Sequence, residues 1–110
     1  MAVKAAEIAN DKKANDTIVL QLKDLTTIAD YLVICSGDNP AQVKAIAEAI
    51  DDYFSSQKAT RLGREGMEFG RWVLIDYGDI VINIFNEEAR AFYDLEKMWI
   101  DAPRIHIDKE

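Results

Sequence analysis

The run from Arg71 to Phe85, RWVLIDYGDIVINIF, constrains the fold more than any other part of the chain. Two alternating segments meet at Gly78-Asp79, which dictates a β-hairpin. A glycine in the first turn position suits a type II′ turn, and that turn sets Tyr77 opposite Ile80 and Trp72 opposite Phe85. Side chains alternate along strands, so the register divides the hairpin into two faces. One face carries Val73, Ile75, Tyr77, Ile80, Ile82 and Ile84, has no charge and belongs in a core. The other mixes Trp72, Leu74, Val81 and Phe85 with Asp76 and Asn83. That face is too polar for a dry interior and too apolar for an ordinary solvated surface, which points to a docking surface. A competing reading covers Trp72 with the loop before it, through Met67 or Phe69.

The 110 residues, 49% of them hydrophobic, supply one core and one domain spanning 1–110. A formal charge of -7, with acids spread along the chain, opposes binding to a phosphate backbone and favours a basic protein as partner. Cys35 is the only cysteine, so there is no internal disulfide and no thiolate set for zinc, and a reducing compartment is expected. The N-terminus is too polar for a signal peptide, and no run of about eighteen apolar residues follows it, so a soluble, cytoplasmic chain without membrane contact is expected.

Ala2 to Lys13 reads as a short helix with Val3, Ala5, Ala6, Ile8 and Ala9 on one face. Thr17 to Leu22 alternates like a strand with one buried side, and Tyr31 to Ser36 is an apolar run suited to a central strand. Gly37-Asp38-Asn39-Pro40 announces a helix, with Asn39 as N-cap, Pro40 at the first helical position and Gln42 reaching back. Val43, Ile46, Ala47, Ile50 and Phe54 give that helix its apolar stripe. A short edge strand is expected over Lys58 to Leu62, then a glycine-containing loop. Asn86 caps a last long helix, lined by Ala89, Phe92, Leu95 and Trp99 and ended by Pro103. Ile105 and Ile107 alternate in the tail. The order implies an α/β fold: a single mixed sheet of four to five strands, antiparallel between the first two strands and at the hairpin, with helices mainly on one side.

Groups suited to chemistry have plainer readings. Asp76 lies on the mixed face and Asp79 at the turn tip, so the two need not converge on a metal and read as surface and turn carboxylates. His106 has no nucleophile beside it and reads as a surface histidine. Ser36-Gly37 precedes a helix but lacks the longer glycine pattern and lysine of a phosphate site. Cys35 reads as an inert apolar thiol. No catalytic group, metal or cofactor is expected.

Taken together, the residues resemble the ribosomal silencing factors, also called Iojap-like proteins, over nearly the whole chain. The most specific stretches are Trp72 to Phe85, Glu88-Ala-Arg90, and Phe92 to Trp99. Asp30 to Gly37 and Arg64-Glu65-Gly66 add support. Asn83 stands where that family usually shows histidine, so no role for a titrating imidazole carries over. The resemblance implies a fold similar to nucleotidyltransferases without their catalytic residues. It also implies binding to the fourteenth protein of the large ribosomal subunit, where the small subunit would join, lowering translation when nutrients are short. Organelle relatives are linked to large-subunit assembly. The expected partner-binding residues are Trp72, Leu74, Asp76, Tyr77, Val81, Asn83 and Phe85, with Trp72 as anchor; Trp72→Glu is expected to abolish binding and leave the fold intact. The alternatives are an assembly factor, a residual nucleotidyltransferase, and a homodimer that buries the Trp72 face.

Overall fold

In the computed structural model, which describes residues 1–107, the central helix begins where its cap predicts. Asn39 Oδ1 accepts from the Gln42 backbone N–H at 2.9 Å, and the Gln42 side chain accepts from the Asp38 N–H. The first bond satisfies a donor that a helix start leaves unpaired, and the second fixes the residue that leads into the cap. The elements run α1 (Ala2–Asp11), β1 (Asn15–Gln21), β2 (Tyr31–Gly37), α2 (Pro40–Ser56), β3 (Gly63–Glu65), β4 (Trp72–Asp76), β5 (Ile80–Asn86), α3 (Glu87–Tyr93) and α4 (Leu95–Met98). Residues 108–110 of the expected 1–110 domain lie outside the described residues.

The five strands form one mixed sheet in the order β1-β2-β5-β4-β3. Only β2 and β5 pair parallel; the other neighbours are antiparallel, as their short connections require. In the hairpin Trp72 faces Phe85 and Asp76 faces Val81, and Tyr77 N–H donates to Ile80 O at 2.9 Å. The predicted register therefore holds. Gly78 takes a φ of +89°, which a residue with a Cβ adopts only with strain.

The two long helices lie on one face of the sheet. Ala5, Ala6 and Ala9 of α1 and the full predicted stripe of α2 meet Val33, Cys35, Val73, Ile75, Ile82 and Ile84 in the main core. Burying each large side chain there contributes roughly 1.5–3 kcal/mol relative to exposure. A second, smaller core lies on the opposite face, where Leu20, Leu32, Ile34 and Phe85 pack with Ala89, Leu95, Trp99 and Ala102. β1 is consequently buried on both sides, with Val19 in one core and Leu20 in the other. Helix α1 covers the Val19 side and the segment around Leu95, Trp99 and Ala102 covers the Leu20 side, which explains this departure from the expected one-sided strand. In addition, Gln21 N–H donates to Pro103 O, and Ile105 N–H to Val19 O, so residues 103–105 line the outer edge of β1.

Two further elements differ from expectation. The edge strand falls at Gly63–Glu65 rather than Lys58–Leu62, because residues 57–59 are used to stop α2. Lys58 adopts a φ of 59°, its N–H donates to Ser55 O and that of Ala59 to Phe54 O, which is a Schellman closure. The last helix is broken at Asp94, whose φ of 46° ends α3 and lets the short α4 set off in a new direction. Phe92 consequently stands 79% exposed instead of lining an inner face.

Candidate docking face

The strand register places Trp72, Leu74 and Asp76 of β4 beside Phe85, Asn83 and Val81 of β5, all on the face of the second core. The next strands continue the rows: Val81 pairs with Leu32 and Leu32 with Leu20, while Asn83 pairs with Ile34 and Ile34 with Ile18. Cover is uneven along these rows. α3, α4 and the segment after them supply Ala89, Leu95, Trp99 and Ala102 to the second core, and with them Leu20, Leu32, Ile34 and Phe85 are buried. Leu74, Asp76 and Val81 remain half-buried on the side toward β3. The result is a half-open sheet face with apolar groups in its floor.

Trp72 forms the boundary between the covered and open halves. Its indole stacks on Phe85 at 4.9 Å between ring centroids and meets Tyr93 at 4.6 Å. Its Nε1–H donates to Asn83 Oδ1 at 2.8 Å. The ring is therefore half-buried, and what packs over it is Tyr93 of α3. Met67 packs toward the main core, and Phe69 stands exposed at the rim of a groove of about 360 Å³ shared by Gly66, Arg71, Trp72, Ala89 and Tyr93. Gly66 is required for this arrangement, because a Cβ there would lie 1.9 Å from Trp72 O.

The seven expected partner-binding residues are not equivalent in the fold. Leu74, Asp76, Val81 and part of Trp72 reach the surface. Asn83 and Phe85 are each 1% exposed, so they lie beneath the face and support it. Tyr77 projects to the opposite side, where its hydroxyl donates to Asp51 Oδ1 at 2.6 Å and its ring meets Phe54 at 4.3 Å. Burial, then the Asp51 carboxylate, pushes the Tyr77 hydroxyl up. Asp51 also pairs with Arg61 and Arg64, so this cluster ties α2 to β3 and the hairpin end. The expectation that Trp72→Glu leaves the fold intact needs correction, because the change strips a buried Asn83 of its donor and removes two ring contacts.

Arg90 shapes the site from beneath, a role that reading the sequence missed. Its guanidinium donates to Ser36 Oγ, Asn15 O and Asp16 O, and forks onto Glu96 at 3.1 and 3.3 Å. One side chain thus ties the ends of β1 and β2 to α4. The sequence signal was its place in the Glu88-Ala-Arg90 stretch, but the strand-end partners it holds are 54, 74 and 75 residues away along the chain. Ser36, weighed above as an anion site, is fully buried, and its hydroxyl donates to Asn15 O. Asp76, weighed for a metal, accepts from Gly78 N–H at 2.8 Å and steadies the turn.

A family model described as "Ribosomal silencing factor during starvation" matches residues 1–110. The chain belongs to the ribosomal silencing factor family. It is 40% identical over 104 residues to the ribosomal silencing factor of Halalkalibacterium halodurans, covering 94% of this chain and 89% of that protein. It is 39% identical to the ribosomal silencing factor of Bacillus subtilis, covering 94% and 88%. A crystal structure of a protein from Chromobacterium violaceum superposes with a TM-score of 0.84 at 31% identity, over 96% of this chain and 88% of that one. The resemblance read from the hairpin and the final helices thus extends through the whole fold. Membership supports a ribosome-associated silencing role.

Proposed function

We propose that this ribosomal silencing factor homologue is a cytoplasmic translation repressor that binds the large ribosomal subunit through its fourteenth protein and, by occupying that face, blocks joining of the small subunit, mainly under nutrient limitation. The observation that carries this reading is the half-open sheet face, where Leu74 and Val81 remain half-buried beside Trp72 on strands that nothing in the fold fully covers. Aromatic and aliphatic anchors of this kind contribute most of the energy at protein interfaces, with about 2 kcal/mol or more for a well-desolvated one. The formal charge of -7 suits a basic protein and opposes bare RNA. The mechanism is steric exclusion, with no chemical step and no cofactor.

Leu74 and Val81 give a cleaner test than Trp72, since both are only half-buried. Leu74→Glu and Val81→Glu should each fold and should lose co-sedimentation with isolated large subunits. A folded variant that co-sediments like the parent removes this face from the reading. A second copy of the chain is the competing occupant of the same face, and light scattering on parent and Leu74→Glu separates self-association from ribosome docking.

A further inference from the structure

Asn83 is a polar side chain sealed under the open face, 1% exposed in the middle of β5 with Ile34 and Leu74 as its strand neighbours. An amide in such a place costs free energy unless its groups are paired, and an aliphatic side chain would fill the same floor without that cost. Its oxygen is aimed at a single feature of the site, the Nε1–H of Trp72 at 2.8 Å. The indole lies against Phe85 at 4.9 Å and Tyr93 at 4.6 Å, and ring contacts are non-directional within the plane of the ring, so they do not by themselves select which edge faces Asn83. The hydrogen bond makes that selection, because only one ring edge carries the donor.

We propose that Asn83 is a positioning residue for partner binding: it does not touch the partner, but through its hydrogen bond it holds the Trp72 indole in the orientation in which the ring meets a protein docked on Leu74 and Val81. The proposal rests on the docking reading above. Freedom removed before binding is not lost again on binding, so a fixed indole strengthens association without adding a contact.

A double-mutant cycle tests it, with affinity for isolated large subunits and urea stability measured on the same proteins. Trp72→Phe keeps an aromatic ring in the stack and lacks the N–H donor; Asn83→Leu removes the acceptor. Asn83→Leu should weaken binding about fivefold or more in the parent, and should add no further loss in the Trp72→Phe background. Equal losses in both backgrounds mean that Asn83 acts only through general packing, which overturns the proposal. In the unaltered protein, the Trp72 indole N–H, assigned by its absence in Trp72→Phe, should exchange with deuterium more slowly than a free indole. Exchange at the free rate overturns the proposal even where Asn83→Leu does not fold. If Leu74→Glu binds like the parent, the docking reading fails. If Leu74→Glu abolishes binding while Asn83→Leu binds like the parent, docking stands and the positioning role falls.

Discussion

Cys35 lies fully buried on β2, between the main core and the network that Arg90 builds at the strand ends. Burial raises its thiol from an ordinary 9.0 to about 12, with the Arg90 charge pulling the other way. Across that interval the folded chain keeps a proton that the unfolded chain releases, so stability is complete below pH 9.0 and falls as pH rises through the window. The slope approaches about 1.4 kcal/mol per pH unit. Tyr77 is shifted in the same direction but starts from an ordinary 10.0, so the interval between 9.0 and 10.0 reports mainly on the thiol. Urea unfolding across that interval should show a shallower decline for Cys35→Ala than for the parent, whatever its lower stability at neutral pH. Parallel declines would mean that the thiol does not carry the effect.

At the scale of elements, what could be read from the sequence was what short-range physics decides. The Asn39 cap, the α2 stripe and the hairpin register each depend on residues within a few positions of one another, and each stands as expected. The break at Asp94 does not. Both Phe92 and Tyr93 sit at helical spacing from Ala89, and only the Trp72–Phe85 pair across the sheet selects Tyr93, itself 49% exposed, as the residue whose ring lies against the sheet. The seven-residue site was legible as a face for the same reason the hairpin was, while the burial of Asn83 and Phe85 depended on a helix whose path the sequence did not reveal. The same helix ends yield a prediction: Lys58 holds a left-handed conformation that suits glycine, so Lys58→Gly should raise stability by about 0.5–1 kcal/mol in urea unfolding. No gain would mean that lysine contacts offset the backbone strain. Arg90→Ala should act in the opposite direction. It removes the guanidinium from Glu96 and Asp16 O and leaves Asn15 O with the Ser36 hydroxyl as its side-chain donor, at a cost of about 3 kcal/mol. Amides of residues 95–102 should lose hydrogen-exchange protection before those of β5. Uniform loss across the chain would mean that Arg90 does not specifically tether α4.

The molecule as a whole has its two long helices on one face of the sheet and leaves part of the other face open, and it carries its excess of acids throughout. On the open half the acids frame the apolar floor: Asp76 shares its row with Val81, and Glu65 of β3 pairs with Leu74. Charges at a rim act mainly on the rate of encounter, whereas anchors in the floor act on the rate of release. The ribosome offers both signs, basic proteins and phosphate, and the chain meets opposite forces from them. Salt screens either force over about 10 Å at 0.1 M ionic strength. If the partner surface is a basic protein, association with large subunits should slow as salt rises while dissociation changes little. Stopped-flow mixing at stepped salt concentrations measures both. Asp76→Asn with Glu65→Gln should lower the association rate at low salt and flatten its salt dependence, because each change removes a rim charge and leaves Leu74 and Val81 in place. Association that accelerates with salt would show that repulsion from phosphate governs the approach. The acidic face would then meet RNA first, and the basic-protein assignment of the docking face would be lost.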